Sequence, residues 1–171
     1  MDIVDCILAD HDRQRRWFSA LDEARDDLDS AGKIFNRLRD HLEAHAMAEE
    51  KYFYPTLLEL GKGALDSDSA DETTEDAIDD HNKIANAADA ALNEEVGSDA
   101  WWKCVDKANY QNSAHLSEEE RQGLTDFRRR VPLEKRIALG LKYLAFEADH
   151  VTNVEREEKD PDAYIKENEH A

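Results

Sequence analysis

Apolar residues recur at three- and four-residue intervals through most of the chain, the spacing that aligns side chains on one face of an α-helix. A first stripe, Val4, Ile7, His11, Phe18 and Leu21, predicts a helix over about residues 2–26. Asp29-Ser30 and Gly32 mark a break before a second helix, about 31–60, whose stripe reads Ile34, Leu38, His41, His45, Glu49 and Tyr52. Pro55 is expected to kink or tighten its end, and Gly61 and Gly63 punctuate the loop that follows. A third helix, about 72–96, carries Ile78, His81, Ala85, Ala88 and Leu92. Gly97-Ser98 separates it from a fourth, about 99–130, with Trp101, Val105, Ala108, His115, Glu119 and Phe127 in register. Pro132 opens a fifth helix that runs to about 157, with Ile137, Leu141, Leu144, Ala148 and Val151 on its apolar side. The Trp101-Trp102 pair is expected to pack the bundle end against this fifth helix, and the last dozen residues read as a polar, frayed tail.

At 171 residues the chain fits one domain with a real core, and its few prolines and glycines amid Ala, Leu, Glu, Lys and Arg favour helix over sheet. The formal charge of −19 argues against nucleic acid or an anionic membrane as partner. No run is apolar and long enough to cross a bilayer, and the start, Met1-Asp-Ile-Val-Asp-Cys, lacks the basic region of a signal peptide. A cytoplasmic location is the expectation. Cys6 and Cys104 are too few for a disulfide framework and lack zinc-site spacing; a single bridge between them stays open.

The chemistry lies in six residues: His11, His45, Glu49, His81, His115 and Glu119. Two histidines have a glutamate four residues later, His45-Ala-Met-Ala-Glu49 and His115-Leu-Ser-Glu-Glu119. Positions i and i+4 share a helix face, so each pair presents an imidazole and a carboxylate to one point. Helices one and two carry a His and then a His-x-x-x-Glu, and helices three and four repeat the order. Any one histidine on an apolar stripe is ordinary packing. Four on four helices, with two carboxylates on the same stripes, is not, because buried carboxylates are costly unless paired or bound to a cation. Imidazole and carboxylate without thiolate suit iron, manganese or zinc, and two bridging glutamates with terminal histidines favour two irons, a non-haem diiron centre.

These elements resemble the hemerythrin-like HHE cation-binding family over roughly residues 3–130. The resemblance rests on His11 in Leu-Ala-Asp-His-Asp, on His45-Ala-Met-Ala-Glu-Glu-Lys-Tyr-Phe-Tyr-Pro55, on His81 in Asp-Asp-His-Asn, and on His115-Leu-Ser-Glu-Glu119. It implies an all-α, up-down antiparallel four-helix bundle over residues 1–130 with the two acidic residues bridging a diiron centre. An additional C-terminal helix, 131–158, would pack on the bundle ahead of a polar tail, 159–171. In one respect the chain departs from oxygen-carrying hemerythrins, which have two histidines a turn apart on the third helix. Here Ala77 and Ala85 flank His81 at that spacing. Fewer protein ligands leave more open metal positions, which favours reaction with O2, NO or peroxide over reversible carriage.

Several neighbours have alternative readings. His41, one turn before His45, is a seventh ligand, an outer partner or a cap on the cavity. Glu50 points about 100° away from Glu49 and reads as solvated or as an outer carboxylate. Tyr52 and Tyr54 read as packing, with a hydrogen bond to a ligand as the alternative. Asp66-Ser-Asp68-Ser-Ala-Asp71 begins like a calcium loop, but Ala77 stands where the closing glutamate belongs. His150 and His170 read as surface residues. The favoured function is a diiron sensor, scavenger or stress-response protein. A diiron oxidase or peroxidase-like enzyme, an iron store or sensor, and a metal-free structural bundle are the competing readings.

Overall fold

The computed structural model describes residues 1–64, 68–150 and 158–168, and every regular element among them is an α-helix. Asp2 accepts from the backbone N–H groups of Val4 and Asp5 and starts α1 (Ile3–Glu23). Asp27, bonded to the Ser30 N–H, starts α2 (Leu28–Tyr52); α3 (Tyr54–Leu60) follows with Pro55 in its first turn. Ser69 and Glu72 form a reciprocal capping box ahead of α4 (Ala70–Ala91). Ser98 caps α5 (Asp99–Arg121), which α6 (Gly123–Arg130) continues. Each such cap satisfies an N–H that the helix leaves open and contributes about 1 kcal/mol. The remaining helices are α7 (Leu133–Asp149) and α8 (Pro161–Asn168).

The four long helices form the expected all-α bundle: α1 packs on α2, α2 on α4, α4 on α5, and α5 closes the ring on α1. Its interior is apolar at both ends and polar between. One apolar cluster holds Phe18, Phe35, Leu38, Ile84, Ala88, Trp101 and Val105; the other holds Ile3, Ile7, Phe53, Tyr54, Ile78 and Phe127. On α1, α2 and α4 a histidine, His11, His45 or His81, falls between the helix's contributions to the two clusters, and His115 falls between the contribution of α5 to one and that of α6 to the other. The helices thus bring one buried polar layer to mid-height.

Several expectations change. Asp29, Ser30 and Gly32 lie inside α2, because Asp27 rather than the Asp-Ser pair supplies the cap. The second and fourth predicted helices each break, at Phe53 and at Gln122, shortly after their glutamates. The fifth helix turns the other way. Ile137, Leu141 and Leu144 are 45%, 72% and 39% exposed, while Gly140, Tyr143 and Phe146 face α1 and α2. A Cβ on Gly140 would stand 2.7 Å from the Met1 carbonyl oxygen, so a glycine lets α7 lie against the start of α1. Val151, assigned to the same stripe, is outside the described residues, as are Asp66 of the calcium-like motif and His170.

The tryptophan pair packs in the cluster farther from α7, with the Arg25 guanidinium 4.3 Å from the Trp102 ring centre. Part of the segment expected to fray is α8, which packs on α3 and α4 and buries Tyr164. Cys6 and Cys104 are free thiols associated with opposite apolar clusters. Among the described residues no helix is long and apolar enough to cross a membrane.

Candidate metal centre

The Nε2 atoms of the four histidines turn inward toward the two glutamates. His45 Nε2 is 3.2 Å from Glu49 Oε1, and His81 Nε2 is 3.4 Å from Glu49 Oε2. His11 Nε2 is 3.1 Å from Glu119 Oε2 and 3.9 Å from Glu49 Oε1. The Nε2 atoms of His81 and His115 face each other at 3.2 Å. Two triads, His11-His45-Glu49 and Glu49-His81-His115, each bring their donor atoms within 4.8 Å of one another, and Glu49 belongs to both. Glu119 lies outside both triads, with one oxygen toward His11 and the other accepting from Tyr54 Oη at 2.5 Å. Tyr54, expected to pack, both packs and donates; Tyr52 stacks edge-on with Phe146 instead.

Three of the four rings are held from behind through Nδ1. His11 Nδ1 meets Glu120 at 2.9 Å, and Arg15 anchors that carboxylate at 2.6 Å. His81 Nδ1 meets Glu50 at 2.9 Å, and Lys159 pairs with the other oxygen of Glu50 at 2.8 Å. Glu50 is therefore buried and orients His81, and Tyr164 of α8 donates to its backbone carbonyl. His45 Nδ1 meets Tyr143 Oη at 2.7 Å, and that hydroxyl donates to Asp10 Oδ2 at 3.0 Å. Carboxylates and an accepting hydroxyl at Nδ1 call for the proton there, which assigns the inward Nε2 lone pair to a ligand. Among the described residues His115 lacks such support: its Nδ1 is 4.0 Å from Asp80.

The electrostatics agree. Burial disfavours a charged ring at His11, yet the carboxylates of Glu119 and Glu49 outweigh it and push its pKa up to about 10. His81 is likewise opposed by burial but raised to about 10 by Glu49 and Glu50. Burial, then the neighbouring His81 charge, holds His115 well below the ordinary imidazole value. Burial opposes ionisation of Glu119, but the His11 imidazole, 3.1 Å away, keeps its carboxyl well below the usual range. Among the described residues, Nε2 of His11 and His45, both oxygens of Glu49 and Oε2 of Glu119 make no hydrogen bond. Buried polar atoms rarely go without a partner. A cluster of orphaned donors of imidazole and carboxylate type fits a first-row transition metal.

The profile of the family described as "Hemerythrin HHE cation binding domain" matches residues 2–127. The chain belongs to the hemerythrin HHE cation-binding family. No curated protein and no solved structure gives a significant match. For this HHE domain, the departure on the third helix has a structural counterpart. Ala85, one turn after His81, lines a cavity of about 30 Å³ together with Leu42, Ile84, Ala88 and His45, His81 and His115. That is room for one or two water-sized molecules.

His41 joins neither triad; its Nε2 faces Asp10 Oδ1 at 3.8 Å. His150 stacks on Phe146 at 3.9 Å, away from the triads. Sequence reasoning overlooked Tyr143, Asp10, Glu120 and Lys159. Asp10 and Glu120 adjoin His11 and Glu119 in sequence, and that adjacency was the available signal. Tyr143 and Lys159 reach the site from elements beyond the matched region, without a local pattern to announce them.

Proposed function

We propose that this HHE protein holds a pair of iron ions through His11, His45, Glu49, His81, His115 and Glu119, and binds O2 or a related small molecule such as NO or peroxide. Its role on this reading is that of a sensor, scavenger or stress-response factor acting inside the cytoplasm. Zinc and manganese are the alternatives that the same donor set admits. One observation carries the proposal: two triads share Glu49, and a small, largely apolar cavity reaches His45, His81 and His115 beside them.

Bound iron would supply redox and Lewis-acid chemistry at positions left open by the protein. The chain's own residues do the rest. Tyr143, Glu120 and Glu50 fix the rings of His45, His11 and His81 so that each Nε2 points inward. Tyr54 holds Glu119 from the far side of the carboxylate. Leu42, Ile84 and Ala88 limit what can approach, since a cavity of about 30 Å³ admits a diatomic or a peroxide and not a drug-sized organic substrate.

A second reading, turnover of peroxide, rests on the Tyr54 hydroxyl, a proton-bearing group held at the centre next to Glu119. Titrating ferrous-loaded protein with NO, O2 and hydrogen peroxide separates the two. A stoichiometric spectral change without sustained consumption is the expected result. Steady consumption of peroxide would replace binding with turnover, and no response to any of the three would overturn both.

A further inference from the structure

A second group of donors meets outside the His/Glu centre. One donor atom each from Asp10, His41 and Glu147 lie within 4.8 Å of one another, where α7 crosses α1 and α2. His41 supplies an independent sign of a missing partner. Its ring is 4% exposed, and among the described residues its Nε2, 3.8 Å from Asp10 Oδ1, makes no hydrogen bond. A cavity of about 220 Å³ reaches His41 and Glu147 from outside, bordered by Arg13, Leu144 and His150.

We propose that Asp10, His41 and Glu147 form an additional cation site that takes one first-row divalent metal ion. An imidazole with two carboxylates suits Zn²⁺, Co²⁺, Mn²⁺ or Fe²⁺. Arg13, 2.8 Å from Asp10 Oδ1 with its side chain half exposed, and Arg37, which also borders the cavity, are the resident cations that the ion would have to displace. Asp10 Oδ2 accepts from Tyr143, which also holds His45, so this site and the His/Glu centre are joined through one carboxylate.

The site does not depend on the iron proposal. The test counts Co²⁺ per chain after equilibrium dialysis of the full-length protein at physiological ionic strength, where exposed carboxylates bind weakly. Wild type is expected to hold one more Co²⁺ than Glu147→Gln and one more than His41→Gln, with unchanged helical circular dichroism. Equal cobalt in wild type and Glu147→Gln would overturn the site. Should His41→Gln fail to fold, Glu147→Gln decides alone; should it fold and keep the ion, the three-residue site is wrong. A difference of one ion is readable whatever number the His/Glu centre holds, so the failure of one proposal stays distinct from the failure of the other.

Discussion

The two halves of the polar layer use the same residue types and are built differently. On one side His11 and His45 are braced through Nδ1 by Glu120 and by the Tyr143-Asp10 pair, and α7 lies over α1 and α2. On the other, His81 is braced by Glu50, but His115 has only Asp80 at 4.0 Å. The cavity also opens along this side, where Ala85 and Ala88 leave space beside His81. A braced half holds its donors in fixed directions, and a half with room beside it can admit a reactant. On the proposed function, the contrast would give anchoring of the metal to the first half and chemistry to the second.

The largest expected effect breaks both halves. His45→Ala and His115→Ala should each remove most bound metal, measured by mass spectrometry of the purified variants, because each loses the imidazole of a His-Glu pair. Retention of full metal in both variants would contradict the assignment.

The next effect sharpens the contrast. Tyr143→Phe takes the outer partner from His45 and should weaken metal binding roughly tenfold, as losses of such partners do. Asp80→Asn behind His115 should change it by less than about threefold, since no hydrogen bond is there to lose. Competition with a chelator reads both.

Ala85→Leu puts a branched side chain into the cavity of about 30 Å³. It should slow NO association by about tenfold with metal content unchanged, measured by stopped-flow absorption. An unchanged rate would move the approach of the small molecule elsewhere, for example to the smaller opening between Thr73, Asp76 and Glu118.

The pH dependence of stability separates metal-free from loaded protein. The folded pKa values of His11 and His81, about 10, exceed the value of about 6.5 for an unfolded histidine. The native state therefore binds more protons in that window, and stability is lost as pH rises from about 6.5 toward 10. Metal-free protein should melt several degrees lower at pH 10 than at pH 7, at roughly 2–4 °C per kcal/mol. Loaded protein should lack this contribution, because the metal replaces those protons.

The smallest effects fall on the outer face of α7. Leu141→Glu on an exposed turn should alter stability by no more than about 0.5 kcal/mol by thermal melting.

The fold was legible because each long helix carries its own 3.6-residue stripe; four of the candidate residues were legible because i, i+4 spacing fixes a shared face, and His11 and His81 because they fall on the apolar stripes of the other two helices. What remained hidden depends on how helices dock. The α7 stripe of Ile137, Leu141 and Leu144 is richer in aliphatic residues than the buried face, so periodicity alone chose the wrong side. The buried face works through Gly140, which permits close approach, and through Tyr143 and Phe146, which reach inward. Glu50 was placed correctly around its helix, but that direction leads to His81 and Lys159 rather than to water. The breaks at Phe53 and Gln122 were also missed, because Pro55 pointed only to a kink and no proline or cap marks Gln122.

The most direct test of the central claim is the iron content of each chain after anaerobic loading with ferrous iron and removal of excess, by mass spectrometry, for wild type and Glu49→Gln. Two triads that share one carboxylate predict two irons per wild-type chain and near-complete loss in the variant. A wild-type chain that binds no iron, or a Glu49→Gln chain that keeps both, would contradict it.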